Sequence, residues 1–158
     1  IYLCIMSCIK NCIFYYFYSI YFINFFWFWI VTLPIKTDNI ILDKSKAFAI
    51  RVVNLYKYLY KNDDPLLREY VMSKQILRSG TSIGANVRES RRAQSTPDFI
   101  TKLYIALKEA DETSYWLELL HETGFITDEM FESVYADCEE LLKLLTSIIK
   151  TTQENTKK

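Results

Sequence analysis

Few residues in this 158-residue chain have types and spacing suited to catalysis. The only histidine, His121, closes the run ELLH that starts at Glu118, and Glu-x-x-His is the spacing that sets two ligands on one helix face in di-iron bundles. Such a centre needs the motif twice plus two further carboxylates, so one chain cannot build it, although a symmetric oligomer could in principle donate the second half. His121 reads better as a helix-end residue beside the C-terminal dipole. Any serine or cysteine nucleophile would have to borrow that same histidine as its base. Cys4, Cys8 and Cys12 crowd the first dozen residues, and Cys138 stands alone in an apolar helical pattern. Neither spacing reads as a disulfide framework or a zinc site, which suits a reduced cytoplasm. No catalytic residue, metal or cofactor is assigned, and no small-molecule substrate is evident.

A different chemistry is suggested by RSGTSIGANVRESRR, residues 78 to 92. Lys74, Arg78, Arg88, Arg91 and Arg92 could track a phosphate backbone if they share one side of a helix. At about 100° per residue from Lys74, the side chains of Arg78, Arg88 and Arg92 fall within about 40° of it, while Met72, Ile76, Ile83 and Val87 gather near the opposite direction. Gly80 and Gly84 border the apolar side four residues apart, where a missing side chain lets another helix come close. Each costs about 1 kcal/mol of helix propensity relative to Ala, so packing must offset them. Ser82, Asn86 and Glu89 form a third stripe, suited to hydrogen bonds across a helix or subunit boundary. A phosphate-cradling loop is a poor alternative: GTSIG lacks the Gly-Lys-Ser/Thr of a P-loop and the preceding strand of a dinucleotide fingerprint.

Positioning these residues requires long helices, and beyond residue 43 the apolar period is close to 3.6 with no strand-like alternation. Phe48, Val52, Leu55, Tyr56 and Leu59 predict helix one over about Lys44 to Lys61. Pro65 is the expected first residue of helix two, which would run unbroken to about Gln94. Helix three is expected to begin at Thr96 as N-cap and to stop before Gly124, a left-handed C′ residue. Thr127 caps helix four, whose stripe from Phe131 to Ile149 is the most regular in the chain. The expectation is an all-α protein, an antiparallel up-down four-helix bundle over residues 37 to 158.

Charge is divided along this bundle. From Lys44 to Lys108 there are 13 basic and 5 acidic residues, net +8, and from Glu109 to Lys158 there are 4 and 12, net −8. One outcome is that Arg78, Arg88 and their neighbours pair with Glu109, Asp111, Glu112, Glu118 or Glu122 of an adjacent helix or subunit. The other is that they face a polyanion.

Residues 1 to 36 differ from the rest. Residues 11 to 35 carry no charge and are long enough for a bilayer, which needs roughly 20 apolar residues. Their aromatics, however, run along the whole segment and do not concentrate at two interfaces. Ile, Phe, Tyr, Asn and Lys, with the most A/T-rich codons, make up 23 of the first 36 residues but only 37 of the other 122. The segment is read as translated upstream sequence before a start near Ile35 to Asp38, with a membrane anchor as the alternative.

SGTSIGANVRES (79 to 90), STPDFITKLYIALKEADETSYWL (95 to 117) and KSKAFAIRVVNLYKYL (44 to 59) resemble the four-helix bundle protein family, the 23S rRNA intervening-sequence proteins. The likeness spans about residues 40 to 150. It implies a small helical bundle, commonly a ring-like homopentamer, encoded in some bacteria by insertions in large-subunit rRNA genes. It also implies relation to the accessory variability protein of diversity-generating retroelements, which binds nucleic acid and a reverse transcriptase through a basic surface. The present chain departs from that branch in its zero net charge and acidic second half.

Overall fold

The computed structural model describes residues 37–157, so the readings made for residues 1 to 36 lie outside the described residues. Within that range are four α-helices, α1 (Thr37–Tyr60), α2 (Met72–Ser90), α3 (Thr96–Glu122) and α4 (Asp128–Thr156), one short 3-10 turn (Pro65–Leu67) and no strand. Each helix packs on the next, and α4 returns to α1, an arrangement consistent with a bundle. The core is the set of apolar stripes read from the periodicity: Val52 and Leu59, Ile76 and Ile83, Leu103 and Leu117, and Leu141 and Leu145 are all buried. Among the described residues no helix is long and apolar enough to cross a membrane.

The helix ends follow local chemistry. Ser95, not Thr96, is the N-cap of α3: its hydroxyl accepts from the Asp98 amide at 3.3 Å, which makes Thr96 the first helical residue. At the other end, the Gly124 amide donates to His121 and the Phe125 amide to Leu120, both at 2.9 Å, with Gly124 at φ 78°. That pattern is a Schellman closure, which only a residue tolerant of the left-handed region accepts easily. Thr127 caps α4 through the Met130 amide. The first helix starts at Thr37, seven residues before the expected Lys44.

The largest correction concerns α2, which starts at Met72 and not at Pro65. Pro65 opens the 3-10 turn instead, with the Asp64 carboxylate accepting from the Leu66 amide at 2.9 Å. Glu69 then sets the true start. Its buried carboxylate accepts from the amides of Val71 and Met72 at 2.8 and 2.9 Å and from that of Ser73 at 2.5 Å. Three of the first amides of the helix, which have no partner inside it, are thereby satisfied by an anion at the positive end of the dipole. A glutamate before the helix does not stand out as a capping signal, because the usual signature uses a short side chain. The helix also ends early, at Ser90, with Arg91 as C-cap. It is unbroken around Ile83.

Candidate nucleic-acid interface

The glycines of α2 set the architecture of the surface. A Cβ on Gly80 would lie 2.7 and 2.8 Å from the two methyls of Val52, and one on Gly84 would lie 3.3 Å from the Ser45 carbonyl oxygen. The backbones of α1 and α2 therefore approach closely along this line, and the longer side chains of α2 are turned out of the contact. Lys74, Arg78 and Arg88 are exposed on the outer side of the helix. Arg91 and Arg92 are exposed as well, but they stand in the turn after α2, where the Arg92 amide donates to the Glu89 carbonyl at 2.9 Å. The straight row is thus Lys74, Arg78 and Arg88, about 21 Å long at 1.5 Å per residue, followed by two arginines on a turn.

None of the five forms a salt bridge among the described residues. Pairing with Glu109, Asp111, Glu112, Glu118 or Glu122 within the protomer is not what the structure contains. The nearest approach to it is electrostatic: Glu109 has its carboxyl pushed up by burial and by Glu112, and Arg78 partly opposes that rise. One Glu109 oxygen is buried without a hydrogen-bond partner.

The third stripe serves local ends. Asn86 donates back to the Ser82 carbonyl at 2.9 Å within α2, and Glu89 crosses to Lys102 of α3 at 2.7 Å. That bond, with the Glu89 charge, raises the Lys102 pKa. The polar link from α2 to α3 that sequence reasoning missed is buried. Ser79 and Thr113 share a hydroxyl hydrogen bond of 2.9 Å.

Lys46 and Lys57 of α1 are also exposed without an ion pair among the described residues, but at about 100° per residue they lie about 100° to 140° around the helix from Ser45 and Val52, the residues that meet α2, so they are not part of the row on α2. The acidic residues of α4 are partly engaged elsewhere. Lys44 pairs with Glu140 at 2.7 Å, and Arg51 pairs with Asp137 while donating to the Ser133 carbonyl and hydroxyl at 2.9 and 2.7 Å.

A family model described as 23S rRNA-intervening sequence protein matches residues 37–147. The chain belongs to that family. A crystal structure of a protein of unknown function from the S23 ribosomal protein family of Bacteroides thetaiotaomicron VPI-5482 is 61% identical, covering 72% of this chain and 98% of that chain with a TM-score of 0.68. No curated protein matches. The family match takes in all of α1, α2 and α3, and therefore the whole cationic row and the turn after it.

Elsewhere in this family member the reactive side chains are occupied with structure. His121 bonds Asp128 at 2.8 Å and stacks on Phe131 with centroids 4.3 Å apart, while Glu118 accepts from the Tyr135 hydroxyl at 2.9 Å. The two halves of the Glu-x-x-His pair thus point to different partners. The Glu118 bond helps push the Tyr135 phenol up to about 12. Cys138 is buried and its thiol, desolvated beside Glu139, is also pushed up to about 12, so it stays protonated and unreactive. An open cleft of about 790 Å³ lies at the end of the bundle that holds Arg91, floored by Leu42, Phe99 and Ile148 and rimmed by Ser90 and Thr96.

Proposed function

We propose that this protein works without catalysis, as a homo-oligomeric bundle that presents the cationic side of α2 and the turn after it to nucleic acid. The observation that carries the reading is the set of exposed cations, Lys74, Arg78, Arg88, Arg91 and Arg92, none in a salt bridge among the described residues. An unpaired row of this kind suits a phosphate backbone, whose counterions it would release. Family membership supports self-association, with a pentamer as the stoichiometry the resemblance implies. The up-down antiparallel topology is part of the proposal. It is supported by cross-helix contacts whose residue numbers rise on one helix as they fall on the next, Ser79 with Thr113 and Glu89 with Lys102.

A second reading draws on a specific observation. Asp111, Glu118, Glu122, Glu129 and Glu132 are exposed on α3 and α4, so the cationic face of one copy has an acidic counterpart on another. Reversing Arg78, Arg88 and Arg92 to glutamate in the full chain separates the two. The expected outcome is an unchanged particle mass by light scattering and loss of labelled structured RNA in a gel-shift assay. Dissociation of the particle with RNA retention unaffected would assign the arginines to a subunit contact and overturn the proposal.

A further inference from the structure

At the Met72 end of the cationic row, three tyrosines meet. Tyr56 and Tyr60 are one turn apart on α1 and stack with centroids 5.6 Å apart. Tyr70, two residues before α2, meets Tyr60 edge to face at 5.2 Å. Tyr60 and Tyr70 are 42% and 46% exposed, so part of each ring is open to solvent although the cluster is internally packed. Lys57 and Lys61 stand within a turn of Tyr60, and Lys74 follows Tyr70 by four residues, all three exposed. The straight row of α2 therefore begins where this aromatic cluster ends.

Resting on the nucleic-acid reading, we infer that the strand bound here is single-stranded RNA or DNA, its backbone on Lys74, Arg78 and Arg88 and its unpaired bases on Tyr60 and Tyr70. Cations alone do not discriminate between a duplex and a single strand, since both present phosphates. Exposed rings do discriminate, because a base offers its π-face only when it is not stacked in a helix. The row along α2 by itself carries no aromatic side chain. The rings come from the α1 end and from the segment between the helices, and the fold brings them to the start of the row.

The test uses the full chain with two fluorescent probes, a single-stranded oligouridine of about 16 nucleotides and an RNA duplex of the same length, read by anisotropy. Tyr60→Ala with Tyr70→Ala should weaken the single strand roughly fivefold to 100-fold and leave the duplex unchanged. Tyr60→Phe with Tyr70→Phe should restore single-strand affinity, because stacking needs the ring and not the hydroxyl. Arg78→Glu with Arg88→Glu should weaken both probes. Circular dichroism of each variant checks that the helices persist. If the alanine pair binds oligouridine as tightly as the parent, or loses both probes equally, the stacking inference fails while the arginine result still supports the nucleic-acid reading. If the parent binds neither probe, that reading fails and this one with it.

Discussion

Helix α1 meets its two neighbours in opposite ways. Toward α2 the contact is made by missing side chains, with Gly80 on Val52 and Gly84 on the Ser45 backbone. Toward α4 it is made by long charged ones, with Lys44 on Glu140 and Arg51 on Asp137 and Ser133. The difference decides which charges remain available. A close backbone approach leaves no room for a cation between the helices, so the cations of α2 are turned outward. An ion-paired seam spends its charges on each other at the surface. The net charge of zero thus divides into one surface that is internally balanced and another that is not.

The contrast breaks most easily at Gly80. Gly80→Ala places a methyl within 2.8 Å of both Val52 methyls and within 3.2 Å of its Cβ, so a rotamer change of this stiff side chain does not clear the clash. Overpacking costs about 1–3 kcal/mol, against about 1 kcal/mol of helix propensity gained from alanine. A net loss of up to about 2 kcal/mol is expected in urea denaturation. Adding Val52→Ala should show favourable coupling of at least about 0.5 kcal/mol in a double-mutant cycle. A Gly80→Ala protein more stable than its parent would mean that the glycine contact does not hold the two helices at this distance.

On the other side of α1 the expected effect is smaller and salt-dependent. Arg51→Ala removes an ion pair and two hydrogen bonds, all partly exposed, and should cost about 1 kcal/mol or less. Raising ionic strength should shrink the difference, because exposed pairs are screened. The Gly80→Ala difference should not respond to salt. Equal salt dependence in the two variants would remove the distinction between a steric seam and an electrostatic one.

How much of this was readable in the chain follows from the range of each interaction. The ends of α3 and the start of α4 were legible to within a residue because Ser95, Gly124 and Thr127 act on amides and carbonyls two to four positions away. The apolar stripes were legible because burial repeats with the helix. The start of α2 was misread because Pro65 is a common first helical residue, whereas here it begins a separate turn and the cap is the longer side chain of Glu69. The row of cations still begins at Lys74, inside α2, and only the early stop at Ser90 shortened it, at the other end. The tyrosine cluster was not legible at all. It depends on which side of α1 faces α2, and that is set by the contacts of Gly80 with Val52 and of Gly84 with Ser45, between residues distant in the chain.

The smallest effect tests the boundary between the cationic face and the acidic half, where the Arg78 charge acts on Glu109. Desolvation raises the Glu109 carboxyl above its ordinary value of 4.5, Glu112 adds to the rise, and Arg78 only partly offsets it. An acid whose pKa is higher in the folded protein stabilises the fold fully below the unfolded value. That contribution falls away as pH rises through the folded value, because the unfolded chain then releases its proton more readily. Ionised Glu109 is therefore a small net cost at neutral pH. Glu109→Gln should raise the thermal midpoint at pH 7, by less than about 1 kcal/mol in stability given the solvent screening there. The advantage should shrink as pH falls toward and below 4.5, where the native carboxyl is itself neutral. If the glutamine variant is instead less stable at pH 7, Arg78 outweighs burial at this site. The arginine would then be held by its own protomer and less free to meet a phosphate, which would weaken the contrast between the two surfaces at the residue where they adjoin.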